Sequence, residues 1–439
     1  MRFQTVSKEE IIRKYLELEK ENDKLKKEKE ALERELRKYK NPNTPPSAHP
    51  FLRPVVRPAR QRRRGAPKGH PGTTRPWQVP HEVRHILSKE CPHCHSTDVD
   101  VRGQKHQQVE EMPPDIRPQT RDIVRDVCQC NKCGLTFLAR DGMTPIQGRF
   151  GINLMVLVIF LKFIVRGVLR KTSSFLDASF AMKLAPASVQ AIIERVAKAG
   201  ETEYHSLKEK IRAAKVLYID ETSFRVLGRN WWVWAFRSDT DLLLVIRHSR
   251  GNTVLEEILG KDYAGIAVCD CWRAYDFLSN ASLQRCWAHL LRKSAELKNV
   301  SGKHVHTKLK ALFEQIVTFN STERTDRQRR HTYTHMTADL QKITAYYSRD
   351  EECQAVTKYI TSHSESWFTC IKTAGVQPTN NYAEQAIRET VLVRKIIGAF
   401  RSEKGTTTYE TLASLIATWQ LQKLDIKKEL HRMLSTNLC

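Results

Sequence analysis

Three acidic residues have surroundings that would let their carboxylates share divalent metal ions. Asp220 and Asp270 each follow a short apolar run that predicts a β-strand, and Glu384 stands at the start of a predicted helix. Carboxylates at adjacent strand ends, joined by a third from a helix, supply the hard oxygen ligands that suit Mg²⁺ or Mn²⁺. Two such ions about 3.5–4 Å apart can stabilise the attacking and leaving oxygens at a phosphorus atom. A single aspartate at a strand end is more often a cap or a surface residue, so these residues alone only suggest a metal site.

Four of the eleven cysteines form two C-x-x-C pairs. Thiolates three positions apart turn onto one metal ion, and two such turns complete a tetrahedral Cys₄ site for structural zinc. A redox C-x-x-C is the alternative, but neither pair has the helix start that such a site needs. Cys128, His93 and His95 lie beside the pairs and leave the choice of ligands open. The spacing favours the paired residues: Cys91, Cys94, Cys130 and Cys133.

Positive charge is concentrated in the proline-rich segment 41–80. The chain carries a formal net charge of +24, and between Asn41 and Arg75 eight Lys or Arg residues occur without an Asp or Glu. The prolines exclude a regular helix there. The segment therefore predicts a basic tether that follows DNA phosphates through charge alone, with a flexible linker as the alternative. The basic residues that we expect at the phosphates are Arg57, Arg60, Arg62, Arg63, Arg64 and Lys68.

A heptad repeat runs through residues 9–40 and predicts a coiled coil. Asn22 and Lys29 interrupt its a positions, where polar residues are known to specify register and oligomer state. Three of the four g-to-e′ charge pairs would attract in a parallel dimer, which favours parallel pairing of two chains. A single solvated helix that docks on its own chain is the alternative. The d positions are Ile11, Leu18, Leu25, Leu32 and Tyr39.

The pattern after Lys215 changes from helical to extended, which predicts an α/β fold. Residues 300–370 are helical without strand signals and indicate an inserted helical domain. Two helices before the strands have helix-turn-helix spacing, which two packed helices without a DNA role would share. Strands are predicted at Val216–Ile219, Trp231–Arg237, Leu242–Arg247, Gly265–Cys269 and Leu283–Trp287. Helices are predicted at Ile152–Leu169, Ser173–Ala181, Ala187–Ala199, Asn252–Leu259, Asn381–Val393 and Thr407–Leu424, with a further one from about Ala288.

Composition and the distribution of apolar residues argue against three broad classes of protein. The longest apolar run, Leu154–Leu161, stops at Lys162 and is too short to span a bilayer. Residues Met1–Lys40 are charged throughout, so no secretory leader is predicted. Eight tryptophans and 40% hydrophobic residues exclude a wholly disordered chain. We therefore expect a cytoplasmic protein, with the cysteines in a reducing compartment where some of them hold metal.

Five blocks of sequence, in order, resemble the conserved blocks of the insertion-sequence 66 family of transposases. The N-terminal zipper, the basic segment and the C-x-x-C pairs also fall in that family's order, so the resemblance covers nearly the whole chain. The blocks are Ile219–Thr222 followed by Trp231–Trp234, Cys269–Tyr275, Arg285–His289 with Arg292 and Lys293, Asn380–Arg388, and Phe400–Gly405.

The resemblance implies a ribonuclease-H-like mixed sheet with a helical insertion, preceded by a coiled coil and a zinc module. By position, Asp220, Asp270 and Glu384 would be the DDE triad that holds two Mg²⁺ or Mn²⁺ ions. Water would then cleave double-stranded DNA at the element's terminal inverted repeats, and the freed 3′-OH would attack target DNA. A homodimer or larger synaptic complex in a prokaryotic nucleoid is expected, with accessory proteins of the same element as possible partners.

The expected organisation follows from the patterns and the resemblance together. Two alternatives remain: a zipper-dimerised, zinc-containing DNA-binding regulator without catalysis, and a nuclease of the same fold that cuts without joining strands. The expected parts are a coiled coil (1–40), a tether (41–80), a zinc module (81–140), a helical region with helix-turn-helix spacing (150–212), a catalytic core in two parts (213–300 and 375–425), a helical insertion (301–374) and a C-terminal tail (426–439).

Overall fold

The computed structural model describes residues 17–19, 21–25, 28–32, 79–80, 82–86, 92–98, 100, 102, 105–107, 109 and 116–439. The chain divides into two units, Met1–Pro113 and Pro114–Cys439. In the first unit, the described residues between positions 17 and 32 are helical, and the heptad residues Leu18, Leu25 and Leu32 are exposed on the single chain. The rest of the predicted coiled coil, the six basic residues of the tether and Cys91 lie outside the described residues.

The second unit contains a two-stranded hairpin followed by a mixed sheet among helices, so the predicted α/β class is confirmed. The strands are β1 (Val127–Gln129), β2 (Thr136–Leu138), β3 (Val216–Val226), β4 (Arg229–Arg237), β5 (Leu242–Arg247), β6 (Ile266–Cys269), β7 (Ser282–Arg285) and β8 (Ala399–Phe400). The helices are α1 (Ile152–Ile159), α2 (Leu169–Phe180), α3 (Pro186–Ala199), α4 (Glu201–Arg212), α5 (Asn252–Leu259), α6 (Trp287–Ala295), α7 (Val300–Asn320), α8 (Asp326–Tyr347), α9 (Glu351–Thr361), α10 (Thr369–Lys372), α11 (Asn381–Ile397), α12 (Glu403–Leu421) and α13 (Ile426–Leu438).

The mixed sheet has the order β5-β4-β3-β6-β7, and β8 also pairs with β3. Strands β3, β4 and β5 are antiparallel neighbours, whereas β6 runs parallel to β3 and β7 runs parallel to β6. Strand β6 pairs with β3 as far as Tyr218, and β8 pairs with β3 from Arg225 onward. Between those two points, one side of β3 is left without a partner among the described strands.

Strand β3 is longer than the sequence predicted. The prediction ended it at Ile219 because the polar residues Asp220, Glu221 and Thr222 follow, but the strand continues to Val226. A two-residue turn joins it to β4, and both turn residues have positive φ, 50° at Leu227 and 78° at Gly228. Such turns match the twist of antiparallel strands, so the hairpin extends the pairing through the polar residues.

The predicted single helix Ile152–Leu169 is also wrong in its second half. Helix α1 ends at Ile159, and Phe160–Ile164 form a π-helical turn. Arg166 then adopts a φ of 60°, and the Gly167 amide donates to the Leu161 carbonyl at 2.7 Å. A side chain at Gly167 would lie 2.8 Å from that carbonyl oxygen, so this glycine allows the chain to turn before α2.

The last two helices pack in different places: α13 against helices α1, α3 and α12, and α12 against the edge of the sheet. The segment 426–439, expected to be a tail, is helix α13, because its apolar residues recur at helical spacing and Leu430, Met433 and Leu434 are buried. Helix α12 lies along the edge strand β5. Its side chains at Thr418, Ser414 and Glu410 accept hydrogen bonds from the amides of Leu242, Leu244 and Ile246, at 3.0, 2.8 and 2.5 Å respectively. The edge amides of β5 are therefore satisfied by side chains of a helix.

The predicted helical insertion consists of α7, α8, α9 and α10. A core separate from that beneath α1 to α4 forms around Trp287, Trp367 and Phe368, which are all fully buried. The Trp287 indole donates to the Trp367 carbonyl at 2.7 Å. This contact joins the insertion to the start of α6, of which Trp287 is the first residue.

Candidate active site

The sheet brings Asp220 and Asp270 to neighbouring positions. In the parallel pairing of β3 with β6, Tyr218 lies opposite Val268, and each aspartate follows two residues later. Asp270 comes directly after β6 ends, as predicted. Asp220 does not end its strand, however, but lies inside β3 at the gap between β6 and β8. The strand that ends here is β6, whose pairing with β3 stops at Tyr218. Asp220 therefore has no paired strand on that side of β3.

The carboxyl group of Asp220 has a strongly perturbed proton affinity. Burial raises its pKa to about 8, and the negative charges of Glu221, Asp270 and Glu384 add to the rise. Burial disfavours the charged form, and each nearby carboxylate disfavours it further. The structure therefore brings the three predicted acids into one electrostatic cluster around Asp220. A cation bound there would relieve the repulsion that holds the proton on Asp220.

Helix α11 packs against β3 and β4 and is fixed to the backbone next to Asp220. The buried side-chain amide of Asn380 donates to the Ile219 carbonyl at 2.7 Å. Arg237 donates to the Tyr382 carbonyl at 2.9 Å, and its guanidinium lies 4.6 Å from the centre of the Tyr382 ring. These contacts set where α11 begins, and Glu384 lies in its first turn.

Glu384 is paired with residues of α6. The Arg292 guanidinium donates to Glu384 Oε1 at 3.1 Å, and it also lies 3.1 Å from His289 Nε2. His289 Nδ1 lies 3.9 Å from the same carboxylate oxygen. Burial, and then the charge of Arg292, lower the pKa of His289, so the imidazole is held neutral. Glu384, the acid predicted on the helix, therefore has a cation and an imidazole as direct neighbours.

A second set of potential ligands overlaps this one. Within the described ranges, the one group of three His, Cys, Asp or Glu side chains whose ligand atoms all lie within 4.8 Å of one another is Cys286, His289 and Glu384. Residue-type reasoning did not find Cys286, His289 or Arg292, although their block was noted for its resemblance. Their C-x-x-H-x-x-R spacing, at intervals of three on one helix face, is the signal that could have indicated them.

The loop after β6 is held by buried cations and backbone bonds. Asp270 Oδ1 accepts the Trp272 amide at 2.8 Å, which fixes the carboxylate to its own turn. The buried Arg285 side chain donates to the Asp270 carbonyl at 2.6 Å and to Asp276 Oδ1 at 2.6 Å. Asp270 is thus held by its backbone and one carboxylate oxygen, and its other oxygen takes no part in these bonds.

Glu221, next to Asp220, has a different environment. Its buried carboxylate accepts from Arg250 Nε at 2.8 Å and from the Tyr275 hydroxyl at 2.6 Å. Side chains alternate along a strand, and Tyr275 packs in the core that also contains Ile219, so Glu221 faces away from Asp220. Burial raises its pKa, with the hydrogen bond from Tyr275 opposing the rise. Glu221 therefore supports the strand from the other face.

The two C-x-x-C segments fall in different units, Met1–Pro113 and Pro114–Cys439. In the second, the Gly134 amide donates to the Cys130 carbonyl at 2.8 Å, and Gly134 has a φ of 72°. Backbone amides of Cys133 and Lys132 lower the pKa of the Cys130 thiol, as expected for a turn that presents a thiolate. In the first, residues 92–94 form a turn, and His95 takes the matching positive φ of 62°. The Cys₄ ligand set stays a prediction.

Every helix among the described residues is too short or too polar to span a bilayer.

The sequence model of the IS66 family of transposases matches residues 147–408, a span that includes Asp220, Asp270 and Glu384. The chain is also 23% identical to an uncharacterised protein of Sinorhizobium fredii, in a match that covers 74% of this chain and 66%, just under two thirds, of that relative. Because the family match covers more than half of the residues and all of the clustered acids, the chain belongs to the IS66 transposase family.

Proposed function

We propose that Asp220, Asp270 and Glu384 form the DDE centre of a ribonuclease-H-like transposase. The observation that carries this proposal is the convergence of the acids. Burial and the charges of the surrounding carboxylates raise the pKa of Asp220 to about 8, and Asn380, which precedes helix α11, donates to the backbone carbonyl next to Asp220. The reaction would be phosphodiester cleavage at the element ends, followed by attack of the freed 3′-OH on target DNA.

The donor set fits two Mg²⁺ or Mn²⁺ ions. Asp220, Asp270 and Glu384 offer carboxylate oxygens, which hard cations prefer, and the negative charges of Asp270 and Glu384 contribute to the raised pKa of Asp220. Such ions, when bound, lower the pKa of a coordinated water and stabilise the attacking and leaving oxygens. To bind an ion, Glu384 would have to break its ion pair with Arg292. The Arg292 side chain is 55% exposed, so the guanidinium has room to move away.

The protein's own part in this reaction is to fix three carboxylates on three different elements. Asp220 is held inside a long strand, Asp270 by the turn to Trp272, and Glu384 by the helix that Asn380 ties to β3. Rigid placement matters because a shift of about 1 Å can cost about 100-fold in rate. Arg292 keeps the Glu384 side chain directed toward α6 until it is needed for binding.

The other parts of the chain would hold the DNA. We propose that Cys91, Cys94, Cys130 and Cys133 bind structural Zn²⁺, and that the zipper pairs two chains so that two element ends meet. The basic tether would add sequence-independent affinity for double-stranded DNA, and the pair α2 and α3 would contact the terminal repeats. The exposure of Leu18, Leu25 and Leu32 supports the zipper, since these leucines would be covered in a dimer.

The test is Mg²⁺-dependent nicking of a labelled element end, followed by a strand-transfer assay. Asp220→Asn, Asp270→Asn and Glu384→Gln should each abolish both steps and leave DNA binding nearly intact. Double variants should be no worse than single ones, because residues that act as one unit are not additive. The matched control is Asp262→Asn, an exposed acid outside the cluster.

The outcomes separate the alternatives. Cleavage that survives in Asp270→Asn would contradict the triad. Cleavage without joining would identify a nuclease, and DNA binding by wild type without any cleavage would identify a regulator.

A further inference from the structure

We propose that Cys286, His289 and Glu384 form a binding site for a transition-metal ion of the Zn²⁺ type, which shares Glu384 with the proposed Mg²⁺ centre. A thiolate, an imidazole and a carboxylate together suit Zn²⁺, whereas Mg²⁺ does not take sulfur ligands. The three ligand atoms lie within 4.8 Å of one another. A tetrahedral Zn²⁺ ion with bonds of about 2.0–2.3 Å holds its ligand atoms about 3.3–3.6 Å apart, so small side-chain movements would complete the site.

The cysteine is placed by two helix starts that meet. Cys286 directly precedes α6, and the amide of Asn380, which precedes α11, donates to Cys286 Sγ at 3.1 Å. The amides of His289 and Ala288 also donate to this sulfur. Burial raises the pKa of the Cys286 thiol, and these backbone N–H groups oppose that rise. A cation bound at the sulfur would favour the thiolate, which is the form that binds metal. Cys286 is buried, so the sulfur cannot turn outward to solvent.

The histidine has an unused nitrogen at the same place. His289 Nδ1 is buried and has no hydrogen-bond partner among the described residues. Its nearest acidic atom is Glu384 Oε1 at 3.9 Å, too far for a hydrogen bond but close to the ligand separation around a zinc ion. A buried polar atom without a partner is costly, and an ion between Nδ1 and Oε1 would remove that cost.

Ion binding at this site would displace Arg292. Coordination through Nδ1 requires the proton of His289 to reside on Nε2, the atom that now lies 3.1 Å from Arg292. The guanidinium would then face an N–H donor and would also lose Glu384 to the ion. Zinc and the Mg²⁺ centre would therefore compete for the same carboxylate. This inhibitory consequence rests on the proposed function, whereas the binding site itself does not.

The experiment is a titration of the full-length protein with Co²⁺, read by absorption. Co²⁺ bound to a thiolate gives a sulfur-to-metal charge-transfer band that carboxylate sites lack. The proposed C-x-x-C site would also bind Co²⁺ and give this band, so the comparison is between wild type and Cys286→Ser. We expect wild type to bind one more thiolate-ligated Co²⁺ ion per chain than the variant. In His289→Gln, the affinity for the Co²⁺ ion that gives this band should fall by at least about 10-fold. Changes to residues outside the ligand shell already cost that much affinity.

Two variants serve as controls. Cys353→Ser removes another fully buried cysteine and should keep the full stoichiometry. Asp220→Asn removes a carboxylate of the Mg²⁺ centre and should keep the band. Equal stoichiometry in wild type and Cys286→Ser would overturn the proposal, as would an equal loss in Cys353→Ser or loss of the band in Asp220→Asn. If no divalent metal supports nicking, the proposed function is contradicted. The Co²⁺ result would still test the Cys286 site independently.

Discussion

The side-chain amide of Asn380 donates to the main-chain oxygen of Ile219, the residue before Asp220, at 2.7 Å. This hydrogen bond ties the strand that carries the first acid of the proposed triad to the helix that carries the last. It joins the sequence blocks 219–222 and 380–388 through two residues that lie 161 positions apart. A change here would affect geometry without touching a carboxylate.

Asn380→Ala should lower the rate of nicking far more than it lowers DNA affinity. The Ile219 carbonyl would lose its amide donor, and we expect a loss of about 1–3 kcal/mol in the free energy of unfolding. Displacement of Glu384 should cost about 10–100-fold in kcat, with KM for DNA nearly unchanged. The control is Asn437→Ala, which removes an amide-to-carbonyl bond of 2.9 Å within α13. An equal loss of kcat in both variants would contradict a positioning role for Asn380.

Asp220→Asn should stabilise the metal-free protein at alkaline pH. The pKa of Asp220 is raised to about 8 in the folded state, against about 3.9 for an unfolded aspartate. Between those values the folded protein holds a proton that the unfolded chain releases, so stability falls as pH rises from 4 to 8. Asparagine carries no charge and removes this dependence.

The measurement for Asp220 is the melting temperature in the presence of a chelator, from pH 5 to pH 9. The difference between Asp220→Asn and wild type should grow with pH and reach several degrees, at about 2–4 °C for each kcal/mol. Mg²⁺ should raise the melting temperature of wild type and not that of the variant. A difference that stays constant across the pH range would show that Asp220 does not titrate abnormally.

Arg292→Gln should let the centre fill at lower Mg²⁺ concentration. Arg292 pairs with Glu384 at 3.1 Å and competes with any ion for that carboxylate. Partly exposed pairs contribute about 0.2–1 kcal/mol, so half-maximal nicking should need about 1.5- to 5-fold less Mg²⁺. Arg432→Gln, which breaks a similarly exposed pair with Glu203, is the control. A lower maximal rate at an unchanged Mg²⁺ requirement would instead place Arg292 on the DNA.

Glu221→Gln should weaken the fold more than the chemistry. The buried carboxylate accepts hydrogen bonds from Arg250 and from Tyr275, and glutamine cannot accept both. We expect the free energy of unfolding in urea to fall by about 1–3 kcal/mol. Nicking at a permissive temperature should keep most of its rate, because Glu221 faces away from the triad. Loss of nicking comparable to that in Asp220→Asn, without loss of stability, would put Glu221 among the ligands.

Replacement of Arg62, Arg63 and Arg64 by glutamine should flatten the salt dependence of DNA binding. Each lost phosphate contact reduces the slope of log K against log salt by about 0.9, so the three together should remove about 2–3 units. Binding should weaken equally for element ends and unrelated DNA. The charge-matched control replaces three exposed lysines that surround the start of α13, namely Lys423, Lys427 and Lys428. Equal slopes in the tether variant and wild type would show that these arginines do not touch DNA.

The sequence predicted elements well where apolar runs end in clear turn residues. Strand β5 and helix α5 have the predicted bounds, Leu242–Arg247 and Asn252–Leu259. The polar half of β3 was missed because its pairing depends on a hairpin turn at Leu227 and Gly228, which no local preference for strand reveals. Local propensity also could not place the π-helical end of α1, since that end is set by packing and by Gly167.

The candidate site divides in the same way. The acids were found because strand ends and helix starts are visible in the sequence. Their neighbours could not be found in this way. Arg292 contacts Glu384, 92 positions along the chain, and Asn380 contacts Ile219, 161 positions along the chain. The Cys286 and His289 pair was visible as a spacing, but its relation to Glu384 depends on how α6 meets α11. Long-range neighbours of this kind follow from tertiary packing, which a single sequence does not encode locally.

The helix that covers strand β5 has a consequence for synthesis of the chain. The side-chain acceptor for the Ile246 amide is Glu410, 164 residues further on. At about 5–20 residues per second, a ribosome needs roughly 8–33 s to supply it. Throughout that interval the nascent sheet exposes an open edge that could pair with another copy. Chains that terminate before residue 410 should therefore aggregate, and chaperone demand should peak while the helical insertion is being translated.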